Sequence, residues 1–149
     1  MNIEEFRENI IEYTKRIRSH LDNALSGIAD KYGLTHMQMR ILLKIYKDGS
    51  HTITSLANAI GAFGANISPL CKKLERDGLV IRKRNADDER VVTLELTNNG
   101  RKVAEDLDQY FNNMFSTMME KLDEESLTLI IKGMKKLSDV LETSNLEKL

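Results

Sequence analysis

Ser68, Lys72, Lys73 and Arg76 recur at helical spacing, on the side of a helix away from Ile67, Leu70, Cys71 and Leu74. A hydroxyl and three cations on one helix face can meet phosphate oxygens, and a lysine there can reach guanine O6 and N7. The same pattern also suits a plain solvated face. Seven residues further on begins the run KRNADDER, in which Lys83 and Arg84 precede Asp88 and Arg90. Lys83 and Arg84 can contact phosphates or keep an edge strand soluble. If the chain is extended at Asp88, its carboxylate lies on the same side as Arg90 and can hold that guanidinium. An arginine so held can enter a narrow minor groove; alternatively the pair only stabilises the turn.

Other chemistries find little support. The single cysteine, Cys71, lies on the apolar stripe, where burial raises a thiol's pKa and blunts it, so it reads as a packed small hydrophobe. His20, His36 and His51 show no ligand spacing such as i, i+4, and residues 101–149 contain no histidine, so no metal site is expected. There is no Gly-rich phosphate loop, paired-cysteine motif or nucleophile elbow. Asp123-Glu124-Glu125 reads as the start of a helix. The expectation is a non-enzyme without a cofactor.

The elements that must position these residues are mostly helices. Ile3, Phe6, Ile10, Tyr13, Ile17, Leu21, Leu25 and Ile28 recur every three or four residues, predicting a helix over 2–31 that Gly33 ends. At 1.5 Å per residue it is about 45 Å long and overhangs a small core. Thr35 and Gln38 form a capping box for a helix with Met37, Ile41, Leu42 and Ile45 inward. Thr54 is expected to cap a helix ended by Gly61. A recognition helix follows at about 64–77, with Asn66 or Ser68 as its cap and Pro69 in its first turn. The period then changes. Residues 79–82 and 91–96 are short β-rich runs flanking a polar tip, which is a hairpin. Thr97 or Asn98 caps a second long helix carrying Val103, Leu107, Phe111, Met114, Met118 and Leu122, and a last helix carries Leu127 to Leu141.

The fold class is therefore mainly α with a small β-hairpin wing, a winged helix-turn-helix between long N- and C-terminal helices. Its expected parts are 1–33, 34–100 and 101–149. The net charge of −1 hides a gradient: residues 34–100 hold 10 Lys/Arg against 7 Asp/Glu, and the flanks 12 against 16. A basic centre on an acidic scaffold suits a polyanion partner. With 41% apolar and 30% charged residues, no long apolar run and one cysteine, a cytoplasmic, unprocessed chain without a membrane partner is expected. Aromatics at 5% and no tryptophan argue against a stacking platform for single strands.

The string ITSLANAIG…NISPLCKKLERDGLVIRKRNADDERVVTLELTNNG resembles the MarR family of bacterial transcription regulators. That family's wing reads Asp-x-Arg, then β-branched residues, then Leu-Thr-x-x-Gly. Here stand Asp88-Glu89-Arg90, Val91-Val92 and Leu96-Thr97-Asn98-Asn99-Gly100. Leu74, Glu75, Gly78, Leu79 and Val80 form a pattern common to many winged helices. The chain departs from the family at Phe63 and Gly64, where Ser, Thr or Asp usually caps the recognition helix.

The resemblance implies a homodimer held by the terminal helices and bound to a pseudo-palindromic operator in double-stranded DNA. Asn66, Ser68, Lys72, Lys73 and Arg76 would contact DNA from the recognition helix, and Lys83, Arg84, Asp88 and Arg90 from the wing. It further implies a repressor of nearby genes, released by a stress signal or by a small phenolic or lipophilic effector in a pocket lined by Tyr13, Met37, Met39, Met114 and Met118. Two alternatives stay open: a thiol-based redox sensor through Cys71, although the family's sensors carry that thiol in the first helix, and a winged-helix protein-interaction or RNA-binding module.

Overall fold

The computed structural model describes residues 1–62, 67–84, 87–88, 90 to 143. Two compact units divide the chain, Met1–Asp108 and the residues from Gln109 onward. Helix α1 (Ile3–Tyr32) opens the first unit, with the Asn2 side chain accepting from the Glu5 N–H, and ends at Gly33. Gly33 has φ 61, the left-handed conformation that glycine adopts without strain. Of α1, only Ile28 and Ala29 are buried; Ile3, Phe6, Ile11, Tyr13 and Ile17 stay exposed.

Helix α2 (His36–Asp48) begins with the expected capping box, Thr35 and Gln38 each satisfying the other's backbone N–H. Its face Met39, Ile41, Leu42 and Ile45 is sealed against Leu56 of α3 (Ile53–Ala59) and Ile67, Cys71 and Leu74 at α4 (Ser68–Arg76). The hairpin strands β1 (Val80–Arg84) and β2 (Val92–Leu96) pair antiparallel, Arg82 opposite Leu94, and add Val80 and Leu94 to that core.

The cap of α3 is Thr52, not Thr54. Thr52 is extended and its hydroxyl accepts from the Ser55 N–H at 3.0 Å. The reason lies one residue earlier. His51 exchanges both backbone bonds with Leu94, at 3.2 and 2.7 Å, which holds residue 51 extended and leaves Thr52 free to start the helix. The hairpin thus gains a third, one-residue strand.

Helix α5 (Asn98–Met119) starts beside the foot of β1 through a tight junction. The Thr97 N–H donates to the Leu79 carbonyl at 3.1 Å, and its hydroxyl donates to the Gly78 carbonyl at 2.6 Å. The same hydroxyl accepts from the Gly100 N–H at 2.9 Å, capping α5. A Cβ on Gly100 would lie 1.8 Å from the Leu79 oxygen, so only glycine permits this approach. Val103, Ala104 and Leu107 then close the core. In the second unit, α6 (Glu124–Thr143) is capped by Asp123, whose carboxylate accepts from the Ser126 N–H at 2.8 Å. It buries no residue, and Leu129, Ile130, Ile131, Met134, Val140 and Leu141 are exposed.

At the end of α1, Lys31 donates to the Asp106 carboxylate at 2.7 Å, and the Tyr32 hydroxyl donates to the same oxygen. The Lys31 ammonium beside Asp106 holds that carboxyl below its ordinary range, and Asp106 in turn raises Lys31.

Two outcomes follow from these contacts. Gly100→Ala must push α5 off Leu79 and is expected to lose about 3 kcal/mol in denaturant unfolding at fixed protein concentration. For Asp106, a depressed carboxyl stabilises the fold above its ordinary value near 3.8 and stops doing so as the pH falls through the depressed one. Asp106→Asn should therefore lower the melting temperature at pH 7, and the gap from the unsubstituted protein should begin to narrow only below about pH 4, closing as the pH falls through the depressed value.

Candidate nucleic-acid interface

Helix α4 turns one face into the core and the other outward. Cys71 and Leu74 are fully buried, whereas Pro69, Lys72, Lys73 and Arg76 are exposed. Ser68 is the first helical residue and half-buried, so it is not the cap. The cap position is Ile67, whose side chain can accept no hydrogen bond, and Pro69 stands in the first turn where its missing N–H is harmless. Asn66, Phe63 and Gly64 lie outside the described residues.

Two of the expected contact lysines are already engaged. Lys73 pairs with Asp77 one turn along at 2.7 Å, and Lys83 pairs with Glu95 across the hairpin at 2.6 Å. Among the described residues, Lys72, Arg76, Arg84 and Arg90 make no ion pair. Lys72 and Arg76 flank a hollow of ≈ 470 Å³ between α4 and β1, closed by Pro69, Glu75 and Arg82. At the wing, Asp88 is in a turn rather than an extended strand. Its carboxylate accepts from the Arg90 backbone N–H at 3.0 Å, and its carbonyl accepts from Val91 at 2.9 Å. The described bond thus fixes the backbone at Arg90, the turn-stabilising reading, and leaves Arg90 exposed.

Three positioning contacts escape the sequence reading. The Arg40 guanidinium of α2 donates to the Ile60 carbonyl at the end of α3. This ties the helix that leads into the turn to the helix behind it. His51 bridges Asp48 at 2.9 Å and Ser55 at 3.0 Å through its two ring nitrogens, at the joint where its backbone meets the wing. Lys44 and His51 beside Asp48 hold its carboxyl below the ordinary range. Arg82 of β1 donates to Glu75 of α4 at 3.1 Å. The first and last have no local signal, since Arg40 with Ile60 and Arg82 with Glu75 meet only through tertiary packing; His51 lies three and four residues from its partners, a spacing the sequence reading weighed only for metal ligation.

Residues 23–107 match the family model described as transcriptional regulator SarA/Rot. The chain belongs to the SarA/Rot family of transcriptional regulators. A SarA/Rot chain is a MarR-like winged-helix regulator rather than an enzyme. YfiV of Bacillus subtilis (strain 168), an HTH-type transcriptional regulator, is 27% identical over 148 residues, 96% of this chain and 89% of that one. A MarR family protein of Bacillus stearothermophilus superposes with a TM-score of 0.75 at 24% identity, covering 95% of this chain and 99% of that one. Reduced AbfR bound to DNA superposes with a TM-score of 0.68 at 17% identity, covering 93% and 97%. At these identities the two structures show the shared winged-helix fold.

The remaining candidate residues of this SarA/Rot chain divide by environment. Cys71 is wholly enclosed, and burial pushes its thiol up, against a smaller pull from the Arg82 charge. Tyr13 is exposed on α1, Met37 is half-buried and Met39 lies sealed in the α2 core. Met114 and Met118, half-buried and exposed, belong to the second unit. His36 pairs with Asp22 at 3.1 Å, linking α2 to α1. Among the described residues no group of three His, Cys, Asp or Glu could hold a metal ion, and no described helix is long and apolar enough to cross a membrane.

A thiol so placed has little thiolate and little access. Iodoacetamide at pH 7.5 should label Cys71 slowly in the native protein and rapidly in denaturant. Equal rates in the two states would show the thiol to be accessible.

Proposed function

We propose that this regulator binds a pseudo-palindromic operator in double-stranded DNA as a cytoplasmic homodimer and represses nearby genes until a small-molecule or stress signal releases it. The observation that carries the reading is the set of unpaired exposed cations, Lys72 and Arg76 on α4 and Arg84 and Arg90 on the wing, set on a fully closed core. A helix of this size enters the major groove of B-form DNA with its exposed residues at the base edges and phosphates. On this reading the wing would bring Arg84 and Arg90 to the flanking backbone or minor groove. A-form RNA has a major groove too deep and narrow for such a helix, which disfavours the RNA alternative.

Dimerisation is supported by the apolar faces of the terminal helices. Ile3, Phe6, Ile11, Tyr13 and Ile17 on α1, and Leu129, Ile130, Ile131 and Met134 on α6, are left in water by a single chain. Continuous exposed apolar faces of this kind mark association surfaces. Two-fold symmetry in the protein then matches two half-sites about one helical turn apart. The buried Cys71 favours a signal other than thiol oxidation. A phenolic or lipophilic effector remains the reading of the signal, with Met39 excluded as a lining residue by its place in the sealed α2 core.

Light scattering and fluorescence anisotropy test this together. A dimer at micromolar concentration is expected, with duplex affinity falling steeply with salt. About 8 phosphate contacts per dimer give a log–log slope near −7. A monomer, or a flat salt dependence, would refute the operator-binding dimer. Peroxide should leave binding unchanged in the unsubstituted protein and in Cys71→Ser alike; a loss confined to the unsubstituted protein would restore the thiol sensor.

A further inference from the structure

Arg82 stands where the hairpin would ordinarily place an apolar residue. In the β1–β2 register Val80, Arg82 and Arg84 share the inner face, with Leu94 opposite Arg82, and Val80 and Leu94 are buried. The arginine reaches under α4, close enough for its charge to act on the Cys71 thiol. Its Nε donates to Glu75 at 3.1 Å, while Nη2 is enclosed and has no hydrogen-bond partner among the described residues. Nε and Nη2 form the edge with which a guanidinium grips a carboxylate in a two-point fork. Here only one point is made. An enclosed donor left unmade opposes folding, and such departures concentrate at working sites. The same guanidinium lines the hollow of α4 with Lys72 and Arg76, where three cations face the single carboxylate of Glu75.

We propose that Glu75 aims Arg82 into this hollow, where Arg82 joins Lys72 and Arg76 in holding a backbone phosphate of the DNA. Glu75 is then a positioning residue and Arg82 a further contact residue. The proposal rests on reading α4 as the helix that meets DNA. It accounts for an acidic side chain on the face that must approach a polyanion. Without the aiming role, Glu75 would only repel the phosphates, and the two accounts differ in sign. Phosphate contacts act on every sequence alike, so the operator need not be known.

The test measures anisotropy on a random-sequence duplex of about 30 base pairs, long enough for two half-sites, across a salt series. The proteins are the full-length chain, Glu75→Gln, Arg82→Ala and the double variant, with melting temperatures recorded for each. Glu75→Gln removes a negative charge yet is expected to bind about fivefold more weakly, as a charge-assisted bond becomes a neutral one. Its salt slope should shrink by about 1 per lost contact. Arg82→Ala should show the same losses, and the double variant should bind no more weakly than Arg82→Ala. If Arg82→Ala does not fold, Arg82→Lys keeps the stem and charge without the fork, and its binding should be weaker and insensitive to Glu75→Gln. Tighter or unchanged binding by Glu75→Gln at an unchanged melting temperature, or additive losses, would overturn the proposal. Failure of the unsubstituted protein to bind any duplex would instead remove the DNA reading of α4, and this inference with it.

Discussion

The junction of Thr97 and Gly100 with Gly78 and Leu79 is the constraint on which the rest of the first unit hangs. One threonine closes the hairpin onto the end of α4 and begins α5. Its hydroxyl donates to the carbonyl just past α4 and accepts from the first turn of α5. Gly100 then lets the α5 backbone press on the Leu79 carbonyl at a distance no side chain would tolerate. Two sequence motifs, Leu-Glu-x-x-Gly-Leu-Val and Leu-Thr-x-x-Gly, are thereby the two halves of one contact. The wing cannot swing away from α4 without breaking bonds whose partners have nowhere else to turn, which costs more than the bonds themselves contribute.

A second constraint is electrostatic. The lobe carries more cations than anions, yet several of its acids stand beside those cations: Glu75 with Arg82, Asp77 with Lys73, Glu95 with Lys83 and Asp48 with Lys44. Exposed pairs of this kind add little to stability. Lys73 and Lys83 each stand beside an acid, while Lys72, Arg76, Arg84 and Arg90 have no ion-pair partner among the described residues. A chain with net charge −1 can therefore still present a cationic face.

The helices were legible because their apolar stripes are long and regular, and the capping boxes and terminal glycines mark ends by local chemistry. The bounds of α1 and the hairpin strands differ from expectation by a residue or two, while α2 begins at the expected Thr35 cap. Where reading by residue type failed, the deciding partner was distant. Thr52 and Thr54 are equally good caps until His51 is pinned to Leu94, 43 positions along the chain. Lys73 with Asp77 was visible as an i, i+4 pair, but nothing local says whether such a lysine is engaged or free. Lys83 with Glu95, and Arg82 with Glu75, need the strand register and the packing of β1 on α4. Asp88 has the right spacing to reach the Arg90 side chain only if the chain is extended, and it is in a turn.

The ties within the first unit also differ in how readily they can give. The wing is joined to α4 through carbonyls at the end of a closed core, and the end of α3 is held by Arg40 on the Ile60 carbonyl. By contrast, α1 is joined to α5 by Lys31, Tyr32 and Asp106 and to α2 by His36 and Asp22, in contacts that are largely exposed. Exposed ion pairs of this sort contribute roughly 0–1 kcal/mol. Only Ile28 and Ala29 seal α1 to the lobe. A force applied along α1 therefore meets its weakest resistance at this joint, while α4 and the wing move as one piece. A change in the setting of α1 would move α4 and the wing together before it distorted either.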